Sequence, residues 1–346
     1  MKGTLLAALL LALPAAASAA LQDIEVYGTS TLTDAELKKL EPKVKRYLYL
    51  DAGKTKATRR AAESQQKELE SEILKLGGFA YARMQKVAAP KDGGVVVVFD
   101  VVENGAKDAR MPFRAAPAGF LPDPAGLLAA WKHYYNLGWD LARRSAISAD
   151  RVDCPAFYCT WGAATPELGA LQDQFIEKVP KNKDLLLQVM REDADAQKRA
   201  DALVLLAYLK DGIEVSKAAE LGLSDPDDRV REAAMRVFSD IIVYKSDVSV
   251  PVEKIAQVMD YPSVDDRTRA LAVMLGIANH PLYRRFLLQS GSTQVLKLLR
   301  TKNSSNHEMA LTALKMLSGE NHDGRDYDAW EACVQRARKA DLEEKK

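Results

Sequence analysis

An excess of charge of either sign is missing from this chain: 49 Lys and Arg stand against 48 Asp and Glu, a formal net of +1. A protein whose main partner is nucleic acid needs a basic surplus to displace counterions from phosphates, so that partner class is excluded. Histidine is scarce, with only His133, His280, His307 and His322 in 346 residues, and no nucleophile elbow accompanies them. No acid–base constellation can be assembled from such a set, so neither an enzyme nor a bound cofactor or metal is expected. Only three cysteines occur, Cys154, Cys159 and Cys333, an odd count that leaves one thiol over. Beyond residue 20 no apolar run approaches the roughly 20 residues of a bilayer-spanning helix, so no transmembrane segment is expected in the mature chain.

What stands at the N-terminus is Lys2, an apolar run from Leu5 to Leu13, and small residues ending Ala17-Ser18-Ala19-Ala20. These are the three parts of a secretory signal peptide, here 1–20, with cleavage after Ala19 or Ala20. The run is too short for an uncleaved anchor, and no cysteine follows it for lipid attachment. A soluble protein of the periplasm or the extracellular space is therefore expected. Losing Lys2 brings its charges to 48 against 48.

Three motif fragments fail on spacing. Gly53-Lys54-Thr55 ends like a phosphate-binding loop, but Leu48 stands where that loop requires glycine. His307-Glu308 begins like a zinc-protease helix, but Leu311 takes the place of the second histidine. Asn321, Asp323, Asp326 and Asp328 around Gly324 offer oxygen ligands, yet no glutamate closes them at EF-hand spacing; a capped turn leading into a helix over 327–340 is the other reading.

From Leu21 to Glu103 the pattern is strand, helix, helix, strand, strand. Asp23-Ile24-Glu25-Val26 alternates as a half-buried strand does, and Thr33 to Glu36 forms a capping box opening a short helix through Leu40. A helix over 63–76 ends at Gly77-Gly78, a strand runs from Phe79 to Val87, Pro90 to Gly94 turns, and Val95 to Phe99 is apolar on both faces, hence central. Between the two helices crowd Lys43, Lys45, Arg46, Lys54, Lys56, Arg59 and Arg60, readable as an anion-binding patch or as a solvated face beside Glu63, Glu68 and Glu70. The element order, Gly78-Phe79 before the second strand and the closing Val101-Val102-Glu103 resemble the POTRA domain of outer-membrane assembly and secretion proteins. That resemblance implies a module that binds client chains by adding their strands to a sheet edge, here with Phe79, Tyr81 and Arg83 as contact residues. The chain departs from the family in having one such unit and no barrel strands after it.

In the second half a pattern recurs. Ala202, Ala234, Ala272 and Ala310 occupy matching positions, at steps of 32, 38 and 38 residues, a period that implies a helical solenoid. Three copies carry an aspartate four residues before an arginine, as Asp195 and Arg199, Asp227 and Arg231, Asp265 and Arg269; the last has Asn303 and His307, as a terminal repeat would. These residues resemble short bacterial HEAT repeats, which implies that the acids and arginines bond along the stack. Antiparallel helix pairs are expected across 181–317, including one helix over 282–299, with Trp330 on a closing helix. Their apolar stripes are core, leaving Lys254, Gln257, Arg284 and Arg285 as candidate partner surface.

Between the halves, 105–123 loses periodicity and gathers Pro112, Pro117 and Pro122, the composition of a linker. Asp123-Pro124 then opens a helix bearing Trp131, Tyr134, Tyr135 and Trp139, which either line a ligand groove or seal the end of the solenoid. Cys154 and Cys159 follow, as a bridge closing a short loop worth about 2 kcal/mol, as two thiols, or with one paired to Cys333. The fold class expected is α+β followed by an all-α helical solenoid, divided as 21–104, linker 105–123, cap 124–180 and repeats 181–341. The function expected is a non-enzymatic adaptor of the bacterial envelope, binding envelope or secreted proteins, including extended peptide segments. The alternatives are a small-molecule pocket between the aromatic helix and the first repeats, and an accessory to outer-membrane protein assembly.

Overall fold

The structure, a computed structural model, describes residues 20–89, 94–147, 154–245, 247–278 and 281–343. The expected signal segment through Ala19 and the turn residues 90–93 lie outside them. Among the described residues no helix is long and apolar enough to cross a membrane.

The chain opens with β1 (Leu21–Tyr27) and α1 (Asp34–Asp51). Thr33 caps α1 and the Glu36 carboxylate accepts the Thr33 amide at 2.8 Å, the capping box expected. The helix does not stop at Leu40. Leu37, Leu40, Val44, Tyr47 and Leu48 form one buried stripe that continues past Pro42, and this tertiary stripe overrides the proline. Thr55 caps α2 (Lys56–Gly77), seven residues earlier than the helix start read from apolar spacing, and Gly78 ends it in the left-handed conformation at φ 62°. The basic stretch therefore lies largely on two helices, where Lys43 pairs with Glu68 and Glu72 at 3.2 and 2.7 Å and Lys45 with Glu41. The pairing favours a solvated face.

Strands β2 (Tyr81–Ala88) and β3 (Val95–Val102) complete a mixed sheet in the order β1-β3-β2, with β1 parallel and β2 antiparallel to β3. β3 is central, and buried along its whole length for a further reason. Val95, Val97, Phe99 and Val101 pack with Leu40, Val44, Leu69 and Ile73 of α1 and α2, while Val96 and Val98 enter the core of the C-terminal helices. The sheet is the middle of three layers.

Residues 105–123, expected as a linker, are fastened to the helices on their C-terminal side. After the one-turn α3 (Lys107–Arg110), Phe113 stands edge-on to Tyr261 at 5.1 Å, and the Arg114 amide donates to Ser224 at 2.8 Å. Gly119 donates to Glu192 and accepts from Ala194, at 2.9 and 2.7 Å. The Leu121 amide reaches the Asp193 carboxylate at 2.9 Å. Prolines keep the segment extended, and the bonded amides go to loops, so no period appears although the segment is held.

The helices are α4 (Leu127–Arg143), α5 (Pro166–Lys178), α6 (Lys183–Glu192), α7 (Ala196–Leu206), α8 (Gly212–Gly222), α9 (Asp228–Tyr244), α10 (Val252–Val258), α11 (Val264–Ala278), α12 (Pro281–Phe286), α13 (Ser292–Leu299), α14 (Ser304–Ser318) and α15 (Tyr327–Glu343). α6 pairs with α7, α8 with α9, α10 with α11 and α13 with α14, while α7, α9, α11 and α14 pack in succession; α4 lies against α5 and α7. The helix expected over 282–299 is interrupted between α12 and α13 by a wider turn at Leu287–Gly291. Cys154 and Cys159 are bridged and Cys333 is free and buried, which settles the three alternatives for the thiols.

An arginine ladder joins the layers, in a different frame from the one expected. Arg199 donates to both oxygens of Asp225 at 2.9 and 2.7 Å and to the Asp193 carbonyl at 2.9 Å. Arg231 repeats this one layer on, with Asp266 at 3.0 and 2.7 Å and the Asp225 carbonyl at 2.8 Å. The third rung is Arg267, bonded to Asn306 at 3.1 Å, to the Tyr261 carbonyl, and to Asp100 of β3. Asp195 and Asp227 are N-caps instead, Asp265 takes the Gln85 amide, and Arg269 makes a surface pair with Glu232. The helix caps Asp195, Asp227, Ser263 and Asn303 set spacings of 32, 36 and 40, so Ala270, buried, is the true counterpart of Ala234 and Ala272 is exposed.

Candidate functional site

A groove of about 450 Å³ lies where α4, α7 and α9 meet the disulfide loop. Trp131, Tyr135, Lys132 and Asn136 come from successive turns of α4; Gln197, Ala200, Asp201 and Val204 from α7; Arg229, Glu232, Ala233 and Arg236 from α9; Tyr158 and Thr160 from the loop. Helical spacing puts each set on one face, and the small alanines of α7 and α9 leave the floor open between layers. The Cys154–Cys159 bridge fixes the short loop that brings the buried Tyr158 ring to the floor.

The four aromatics of α4 divide between the two roles anticipated for them. Tyr134 is fully buried, T-shaped on Phe175 at 5.7 Å, and its hydroxyl donates to the Gly162 carbonyl and accepts from the Trp161 amide, each at 3.1 Å. Trp131 is buried with one edge on the groove, Tyr135 is 37% exposed beside it, and Trp139, 43% exposed, packs edge-on against Trp161 outside it. Charge of both signs rings the aromatic wall. Arg236 donates to Glu232 at 2.7 Å and Arg229 pairs with Asp227 at 2.9 Å.

Asp201 is the carboxyl of the groove that this environment perturbs. Burial pushes its carboxyl from 3.8 to about 6, with Asp195 adding to the rise, while the Gln197 amide at 2.9 Å, the Trp131 indole and Lys132 partly offset it. A carboxyl whose folded value exceeds its unfolded value favours the fold when protonated; that contribution is complete below pH 3.8 and lost as pH rises through about 6. Asp201→Asn is therefore expected to melt above the parent at pH 7.5, with the gap closing at pH 4. Thermal melts of both proteins across that range check it, and a gap independent of pH would acquit Asp201.

The expected partner residues are scattered, and most are engaged within the chain. Phe79 is buried in the core under α1 and α2, Tyr81 is half-buried, and Arg83 pairs with Asp228 of α9 at 2.6 Å. Lys254 pairs with Glu220, Gln257 donates to Ala109 and Arg284 to the Leu317 carbonyl at 2.6 Å, while Arg285 is half-buried on α12. None of the seven lines the groove.

The strand edge is also not open at its centre. The outward amide and carbonyl of Met84 are taken by Glu70 and Gln66 of α2, at 2.9 and 3.2 Å, and Ser304 donates to the Ala88 carbonyl. A client strand pairing with β2 must displace these side chains. Of the groove, the sequence marks out Trp131 and Tyr135; Asp201, Arg229, Glu232 and Arg236 look like ordinary outward charges of amphipathic helices, and only the packing of α7 on α9 opposes them to α4. Comparison with protein-family models, curated proteins and solved structures finds no match.

Proposed function

We propose that this chain is an exported, non-enzymatic binding scaffold of the cell envelope, in which a HEAT-like stack of helix pairs offers the aromatic, doubly charged groove to an extended segment of a partner protein. The POTRA-like unit braces the stack. The carrying observation is the groove itself: three helices and a disulfide loop converge on one trough that joins an aromatic wall to Lys132, Arg229 and Arg236 on one side of the balance and Asp201 and Glu232 on the other. Apolar surface with a few convergent polar groups is what binding sites present. The β1-β3-β2 sheet and the arginines recurring at the fourth residue after the caps Asp195, Asp227 and Ser263 support the two likenesses. The closed centre of β2 weighs against strand addition, and with it against a role as accessory to outer-membrane protein assembly.

The test is photocrosslinking in the native envelope, with benzoylphenylalanine at Asn136 on the groove and, as control, at Lys45 on α1. Protein adducts are expected from Asn136 and not from Lys45, and Arg229→Glu with Tyr135→Ala should cut their yield by at least about 10-fold, the loss of roughly 1.4 kcal/mol. The groove volume also suits a compact organic ligand. Absence of protein adducts, with a small molecule released on denaturing the purified protein, would replace the scaffold reading by that one.

A further inference from the structure

At the far end of the helix stack, away from the groove, Glu320, His322 and Cys333 bring one oxygen, one nitrogen and one sulfur donor within 4.8 Å of one another. Neither the groove nor the arginine ladder uses them. Gly319 ends α14 in the left-handed conformation at φ 74°, which turns the chain sharply so that Glu320 and His322 face the second turn of α15, where Cys333 lies. The loop is tied down. The Glu320 amide donates to Ser318 Oγ at 3.1 Å, the His322 ring stands edge-on to Trp330 at 5.0 Å, and the fully buried Trp330 donates its indole N–H to the Asp323 carbonyl at 2.9 Å. Asp323 and Asp326, considered above as calcium ligands, accept the Arg325 and Ala329 amides and so form the capped turn into α15.

His322 Nε2 lies 2.7 Å from Glu320 Oε2, and Arg336 donates to both carboxylate oxygens at 2.8 and 2.7 Å. A carboxylate offers about four lone-pair directions, so Arg336 leaves room on Glu320 for a further partner. We propose that Glu320, His322 and Cys333 form a binding site for a divalent cation of borderline softness, Zn²⁺ being the best match. Sulfur in the set excludes Ca²⁺ and Mg²⁺, which take oxygen, whereas thiolate, imidazole and carboxylate are the zinc ligands. Tetrahedral bonds of about 2.0–2.3 Å set donors roughly 3.3–3.8 Å apart, so the His322–Glu320 contact opens by about 0.6 Å and Cys333 Sγ, within 4.8 Å of both, closes by at most about 1.5 Å. On binding, the Cys333 S–H bond breaks, the Zn–S bond forms and the proton leaves to solvent; the imidazole binds through Nε2 with its proton on Nδ1. Thiolate and carboxylate neutralise the cation, and Arg336 orients the carboxylate from behind. Three protein donors leave a fourth position for water.

The experiment uses the untagged full chain, freed of metal by chelator, titrated with Co²⁺ and followed through the near-ultraviolet thiolate-to-cobalt absorption, and with Zn²⁺ by calorimetry. One equivalent of Co²⁺ should give the band, Zn²⁺ should abolish it, and excess Mg²⁺ should not. Cys333→Ser should lose the band. Because Cys333 is buried and its replacement can disturb folding, His322→Ala and Glu320→Gln, at half-exposed positions, provide the second arm, each weakening Zn²⁺ by at least about 10-fold. Absence of a band in the parent, or Zn²⁺ affinity unchanged in both half-exposed variants, overturns the site and leaves a hydrogen-bonded cluster; neither outcome bears on the groove.

Discussion

Arg267→Ala is expected to cost about 3–5 kcal/mol of folding stability, the range for removing one partner of a buried ion pair. Its guanidinium is fully buried, bonds Asp100 in the sheet, the Tyr261 carbonyl and Asn306, and lies 3.9 Å over the Tyr27 ring. It joins three layers at once. Burial pushes the Asp100 carboxyl up and Arg267 is the main group pulling it down. Without the arginine, only the weaker pull of Arg110 and Arg83 opposes burial, and the folded variant favours protonated Asp100; stability that depends on this proton is present at low pH and lost as pH rises. The deficit against the parent should therefore be smaller at pH 5 than at pH 7.5. Urea unfolding at both values measures it, and Asp100→Leu combined with Arg267→Met should recover most of the loss. A single-variant deficit below about 1 kcal/mol would show that the pair contributes no more than an exposed one.

Asp225→Ala should come next, at about 3 kcal/mol, since its fully buried carboxylate accepts two bonds from Arg199, one from Arg114 and one from the Asp227 amide. Arg199, itself buried, is left facing an empty place. The second effect is local: Arg114 holds the extended segment 105–123 to this carboxylate, and its release should expose the Arg114 peptide bond to trypsin. Limited digestion of folded parent and variant, with the cut mapped by mass, separates the two consequences. Equal cutting rates at Arg114 would mean that its remaining bonds to the Met190, Arg191 and Ser224 carbonyls, with Phe113 and Gly119, suffice to hold the segment.

What the sequence revealed was local. Thr33 to Glu36, Gly77-Gly78 and the valines of β3 declare a cap, a helix end and a buried strand because each signal sits within a few residues of its effect. The ladder was half legible. Arg199 and Arg231 were found, but Asp265-Asp266-Arg267-Thr268-Arg269 offers two acids and two arginines, and spacing alone does not say which arginine is buried; the Ser263 cap decides for Arg267. Its main acidic partner, Asp100, is 167 residues away, beyond any periodicity argument. The groove was legible only on its α4 side, and the anchoring of 105–123 was not legible because bonds from an extended segment to distant loops leave no pattern in composition.

The position of β3 between two helical layers also sets the order in which the molecule can be completed. Its first face can be covered as soon as α1 and α2 exist, from nearby chain. Val96, Val98 and Asp100 on the second face wait for α11 and α14, which are synthesised long afterwards. A growing chain therefore carries an uncovered valine face and an unpaired acid while the 167 residues from Asp100 to Arg267 are added, and the closing contacts are correspondingly non-local. Such contacts form late and slowly, because a long loop must close before they contribute anything. Asp100 makes that delay safer: a charge in the middle of the waiting face discourages the edge-to-edge and face-to-face association that five consecutive apolar β-formers would otherwise invite.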